Sequence, residues 1–191
     1  MPTAASHPTA TLTGDTPVDD LRITPDQWFA ERVRPLVAFA TGGDWLPATL
    51  LPDEAELARV KQRLLRAEGA PARVALTWLA GWRAGYMASV IATGVVRDAV
   101  LVGAGRPGVL RVRRHSEGWL CDAELSDPCV AVVAGHPWAG RPGVETVADR
   151  AALERAAIAE IAAACGPMIE LVARRSRRGR LGLWEAVRLT V

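Results

Sequence analysis

The spacing of apolar residues changes period twice along the chain. Up to about Thr93 they recur at helical intervals. Through the middle they come in short runs rich in Val and Leu, and from Ala152 onward the helical interval returns. The first part divides into three expected helices. One starts in "ITPDQWFAERVRPLVAFA", where Thr24 is placed to cap, Pro25 suits the first helical position and Asp26 the first turn. Trp28, Phe29, Val33, Leu36 and Val37 share one face, and Pro35 threatens a kink. "TGGDWLPATL" then reads as a loop. A second helix is predicted in "LPDEAELARVKQRLLRAEGAP". Its acids come early and its bases late, Leu57, Val60, Leu64 and Leu65 form its apolar stripe, and Gly69 and Pro71 end it. A third covers 72–93, with Val74, Trp78, Trp82, Met87 and Ile91 at near-helical spacing. Gly81 and Gly85, one turn apart, would admit a close backbone neighbour.

In the middle, "DAVLV", "GVLRVRR", "GWLCDAEL" and "CVAVVAG" are strand-like runs separated by turn residues. "GHPWAGRPGVETVADRAAL" reads as a loop into a long helix capped by Thr146 or Asp149. Leu153, Ala157, Ile161, Ala164, Met168 and Leu171 face inward from that helix, and Pro167 should bend or divide it. "RRSRRGR" is a basic break, and "LGLWEAVRLTV" opens a last helix. Helices, then a small, mainly antiparallel sheet, then helices, make an α+β domain over 23–191. Residues 1–22, rich in Pro, Thr and Ala, lack the apolar side chains needed to offset ordering and are expected to form a disordered tail.

Composition narrows the function classes. A formal net charge of +2 gives no case for nucleic acid. Arg73 and Arg83 interrupt the longest apolar region, 71–96, before it reaches the roughly 20 residues of a membrane span, so no transmembrane segment is expected. Nor does the N-terminus read as a secretory leader. Three cysteines, Cys121, Cys129 and Cys165, are too few for a disulfide framework, which points to a reducing, cytoplasmic setting.

Candidate chemistry concentrates in the middle. "AVLVGAGRPGVLRVRR" carries Gly103, Gly105 and Gly108 in G-x-G-x-x-G spacing, the glycine pattern of a dinucleotide turn. That turn must lead into a helix whose first amides receive the pyrophosphate. Here it leads into alternating "VLRVRR", so a hairpin is expected, with Arg111 and Arg113 on one exposed face. No two cysteines stand two to four residues apart, as structural zinc or iron–sulfur sites usually require. Cys121 or Ser116 beside His115 is a neighbour in sequence, not a triad. Two arginine clusters remain: Arg111, Arg113 and Arg114, and a second set from Arg174 to Arg180. Most such runs are solvated faces. With Trp119 and Trp138, though, the first could form an aromatic, basic rim for an anionic ligand, or an interface with a protein partner.

The order of segments resembles the FhuF-like ferric-siderophore reductases, including actinobacterial versions. The likeness is carried by "VALTWLAGWRAGYMASVIATGVV" turning into "RDAVLVG", by the short strands around "GWL", and by the "IELVARRSRRGRLGLWEAV" end. It covers roughly Trp28 to Val191. In that family a cysteine-rich segment after the Leu-Trp helix binds a [2Fe–2S] cluster that passes electrons to siderophore-bound iron. The three cysteines here do not match the family's closely spaced ligands, so no cofactor and no redox activity is expected of this stretch. The resemblance implies ferric-siderophore handling, or an accessory subunit that supports a partner enzyme, as in a natural-product pathway. Arg111, Arg113, Trp119, Trp138 and Arg141 are the residues expected to face the ligand or partner.

Overall fold

A computed structural model describes residues 23–48, 54–69, 71–116, 119–127, 129–177 and 179–188. The expected tail, 1–22, lies outside the described residues. The architecture is α+β, with two three-stranded sheets.

Helix α1, residues 25–37, is not uniform. It runs as α-helix over Pro25–Trp28, widens to a π-helical turn over Phe29–Val33, and closes as α-helix over Arg34–Val37. The Arg34 amide donates to the Phe29 carbonyl, five residues back. Pro35 explains this. It has no N–H for the carbonyl four residues earlier and its ring crowds that group, so the chain absorbs the strain as a wider turn rather than a break. At the start, Gln27 Oε1 accepts the Thr24 amide at 3.0 Å, half of a capping box.

The segment read as a loop contains strand β1, Asp44–Pro47, and so corrects that expectation. Its pairing is long-range: β1 lies antiparallel to β3, Leu110–Arg114, with Trp45 opposite Arg113. Strand β3 also pairs antiparallel with β4, Leu120–Leu125, to give the first sheet, β1-β3-β4. The second sheet, β2-β5-β6, joins β2, Val100–Val102, antiparallel to β5, Val130–Val133, and β5 parallel to β6, Val144–Val147. The β6 segment had also read as loop. Strands β2 and β3 are in different sheets, so the expected Gly-rich hairpin does not form and 103–109 is a crossover between sheets. Gly105 shows how tightly it is held: its amide donates to Glu160 Oε2 at 2.8 Å, and a Cβ there would fall 2.9 Å from the Ala163 methyl.

Four helices complete the fold: α2, Glu54–Glu68; α3, Ala72–Asp98; α4, Arg150–Ser176; and α5, Arg180–Arg188. Helix α3 is the axis, packed by α4, α5 and α2 and running directly into β2. Its buried face carries Leu76, Leu79, Ala84, Met87, Val90 and Ile91, whereas Trp78 and Trp82 stand on its outer face, 41% and 40% exposed. The predicted stripe was therefore half right. Asp149 rather than Thr146 caps α4, accepting the Ala152 amide at 2.7 Å. Pro167 sits inside α4 without dividing it.

Helix α4 is long and apolar enough to cross a membrane, with a mean hydropathy of 1.6 over its best 18 residues. Much of that value is alanine, and Leu153, Met168, Ile169 and Val172 are buried in the core, with a third of the window buried in all.

Candidate functional site

The outer face of α3 carries aromatic side chains one turn apart, and the start of β4 brings another against them. Trp78 and Trp82 stack with centroids 6.1 Å apart; Trp82 meets Trp119 edge-on at 6.4 Å; Trp119 stacks on His115 at 5.2 Å and 14°. Beyond α1, Phe39 meets Tyr86 edge-on at 6.3 Å, its amide held by the Cys121 carbonyl at 3.0 Å. Between these rings lies a groove of about 500 Å³ lined by Phe39, Trp82, Gly85, Tyr86, Ser89 and Trp119. Gly85 lines the groove between Trp82 and Tyr86 in sequence. Two polar atoms of the lining residues, Tyr86 Oη and Trp119 Nε1, are buried and meet no hydrogen-bond partner among the described residues. Burial holds the Tyr86 phenol well above its ordinary range, with the Asp122 carboxylate adding to the effect. It stays neutral and able to donate.

Next to the groove is a second, basic hollow of about 370 Å³ between α2 and the ends of β1 and β3. Arg59, Arg63, Arg114 and His115 line it with Asp44 and Gly43. His115 belongs to this hollow and Trp119 to the groove, so the stacked pair joins the two. Gly42 and Gly43 take φ of +87° and +92°, and Gly43 is pressed onto β3: a Cβ there would lie 2.1 Å from the Arg114 carbonyl oxygen.

The predicted rim residues do not share one surface. Arg111 and Arg113 lie on one face of β3, as expected, but that face is internally paired. Register sets Arg113 opposite both Trp45 and Asp122, and Arg111 opposite Glu124. Arg113 sits 4.6 Å over the Trp45 ring and 3.6 Å from Asp122; Arg111 bonds Glu124 at 2.8 Å. From α1, Arg34 adds a two-pronged bond to Asp122 at 2.8 and 2.7 Å. These guanidinium groups are engaged with the protein's own carboxylates.

Trp138 corrects its prediction outright. It is fully buried, edge-on to Trp28 at 5.8 Å and to His136 at 5.4 Å, so it faces the core and neither ligand nor partner. Arg141 is exposed near the Ile23 carbonyl, in the turn before β6 and apart from the groove lining. Of the five, Trp119 alone lines the groove.

The thiols are scattered. Cys121 is buried on β4, its thiol pushed up by burial and directed at the Arg113 carbonyl. Cys165 is buried in α4 against the Ala84 carbonyl, and burial pushes it up to about 12. Cys129 precedes β5 with Arg106 Nη1 at 2.9 Å. No group of three metal-ligating side chains assembles among the described residues. A [2Fe–2S] cluster needs four converging ligands, and these three thiols do not fit one.

The residues that sequence reading missed are Phe39, Trp82, Tyr86, Arg59 and Arg63. The two tryptophans on α3, one turn apart, were the available signal, but period alone does not say which helical stripe is buried. No protein-family model, curated protein or solved structure matches this chain.

Proposed function

We propose that this chain is a binding domain for an anionic, ring-bearing metal chelate of the ferric-siderophore type, held in the Phe39–Trp82–Tyr86–Trp119 groove. The observation that carries the reading is the junction at the His115–Trp119 stack, where an aromatic groove meets an arginine-lined hollow. Planar rings of a chelate stack on Trp82 and Trp119, and its negative charge lies toward the guanidinium groups. The likeness to FhuF-type reductases supports the same ligand class. No electron-transfer step is assigned to this chain's thiols.

A ferric tris-catecholate complex titrated into the protein should quench its tryptophan emission saturably. Trp82→Ala and Trp119→Ala should each weaken that binding about tenfold or more, the scale of losing one aromatic anchor. A linear, unsaturable decrease that is identical in both variants would remove the proposal. A second reading, an accessory subunit docked through this surface, is favoured by the exposure of Phe39 (66%) and Leu36 (59%) outside the stacked rings. It predicts a stable partner complex that the chelate does not displace.

A further inference from the structure

We infer that Arg34 and Asp122 are positioning residues for the aromatic groove: their paired side chains seat Phe39, the ring that closes it. The identity of the ligand rests on the chelate reading; the seating of Phe39 does not. The groove draws its lining from three places. Helix α3 gives Trp82, Gly85, Tyr86 and Ser89 from one face, and the start of β4 gives Trp119 and Leu120. Phe39 comes from neither. It stands two residues past the end of α1 and is 66% exposed, so burial does little to hold its ring. Bonds between α1 and β4 set where it lies instead. The Phe39 amide donates to the Cys121 carbonyl at 3.0 Å. One residue further along β4, Asp122 accepts Arg34 Nε at 2.8 Å and Nη2 at 2.7 Å, a two-pronged fork from the last turn of α1. Arg34 also closes that turn, its carbonyl accepting the Ala38 amide at 2.8 Å. One arginine thus holds the residue before Phe39 through its backbone, and the strand that receives the Phe39 amide through its side chain. Asp122 is almost wholly buried, and a fork fixes orientation as well as distance, which a single hydrogen bond does not. The same strand carries Trp119 and Leu120 to the groove, so the clamp sets Phe39 relative to both. Its ring then meets Tyr86 edge-on at 6.3 Å. A ring held in place before a ligand arrives does not have to be ordered on binding, which favours affinity.

Tyr86 is the chain's single tyrosine, so ring-13C tyrosine gives one set of NMR signals in the whole protein, and these report on the Phe39 ring beside it. The variants are Phe39→Ala, Arg34→Lys and the two combined. Lysine keeps a cation beside Asp122 but cannot form the fork. Asp122→Asn repeats the test from the other side of the pair, and thermal unfolding checks that each variant keeps its fold. Phe39→Ala should move the Tyr86 signals, and Arg34→Lys should move them toward the same position. In the combined variant they should coincide with those of Phe39→Ala alone. With the ferric tris-catecholate complex, Phe39→Ala should weaken binding about two- to tenfold, the scale of one edge-on aromatic contact. Arg34→Lys should weaken it by no more than that, and should add nothing in the Phe39→Ala background. Tyr86 signals left in place by Arg34→Lys and Asp122→Asn would overturn the inference. So would an Arg34→Lys effect of undiminished size in the Phe39→Ala background, which would reach the groove through charge or general loosening and not through Phe39. If the Tyr86 signals behave as expected and the wild type does not bind the complex, the chelate reading fails and the seating of Phe39 stands.

Discussion

Gly94 shows how one residue's sign can be reversed by its surroundings. In a helix interior, Gly to Ala usually gains about 1 kcal/mol through backbone entropy. Gly94 lies near the end of α3, where a Cβ would sit 2.6 Å from the Val100 carbonyl oxygen and 2.9 Å from the Trp28 ring. Neither neighbour can yield. Val100 is the first residue of β2, and Trp28 is pinned by its indole N–H to Asp98 at 2.9 Å and by Trp138 edge-on. Overpacking of this kind costs about 1–3 kcal/mol, so Gly94→Ala should destabilise the protein by about that range in urea denaturation. A gain in stability would show that the α3–β2 junction is looser than described.

Among elements, the first sheet shows how register makes charge useful. Strand β3 reads as an exposed arginine face, yet β1 and β4 set Trp45, Asp122 and Glu124 opposite those arginines. Asp122 is the centre: almost wholly buried, it takes both prongs of Arg34, lies near Arg113, and accepts the Ala123 amide at 2.8 Å. Removing it leaves two cations facing a half-buried sheet without their acid. Full burial would make that loss about 3–5 kcal/mol. Arg34 is about a third exposed, at 37%, and water screens part of the loss, so about 2 kcal/mol is expected for Asp122→Ala. In a double-mutant cycle, Arg34→Ala combined with Asp122→Ala should cost less than the sum of the two. Strict additivity would mean the pair is not coupled.

For the whole molecule, His136 on the acid side and Tyr86, Cys121 and Cys165 on the alkaline side stay neutral in the folded state, and they bracket a window of pH. Burial lowers His136, partly opposed by Asp98, and its Nδ1 accepts the Trp138 amide at 3.2 Å. The unfolded chain therefore takes up a proton near the ordinary histidine pKa of about 6.5 before the folded one does, and stability falls as pH drops below that value. On the alkaline side burial raises Tyr86, and raises Cys165 to about 12. The Cys165 contribution is fully present below its unfolded value of 9.0 and is lost as pH rises toward 12; the tyrosine adds a loss above its unfolded value of 10.0. Melting temperature should be flattest between about pH 6.5 and 9 and fall on both sides. Cys165→Ala should reduce the alkaline slope, and His136→Asn the acid slope. An unchanged acid limb in His136→Asn would assign it to other groups.

How much of this was legible beforehand depended on the range of the interaction. The helices of 25–37, 54–68, 72–98 and 150–176 follow from apolar period, capping residues and breakers, all of which act within a few positions, and so the α+β class was readable from residues alone. Strands β1 and β6 were not: each has four residues and forms only because a distant strand supplies its hydrogen bonds. The same limit applies to the site. An arginine on an alternating strand, or a tryptophan on an amphipathic helix, looks alike whether it meets solvent, a carboxylate or the core. Tertiary packing alone buried Trp138, engaged Arg111 and Arg113 with acids, and turned Trp82 outward toward Trp119, because which face of an element is covered is set by what packs against it.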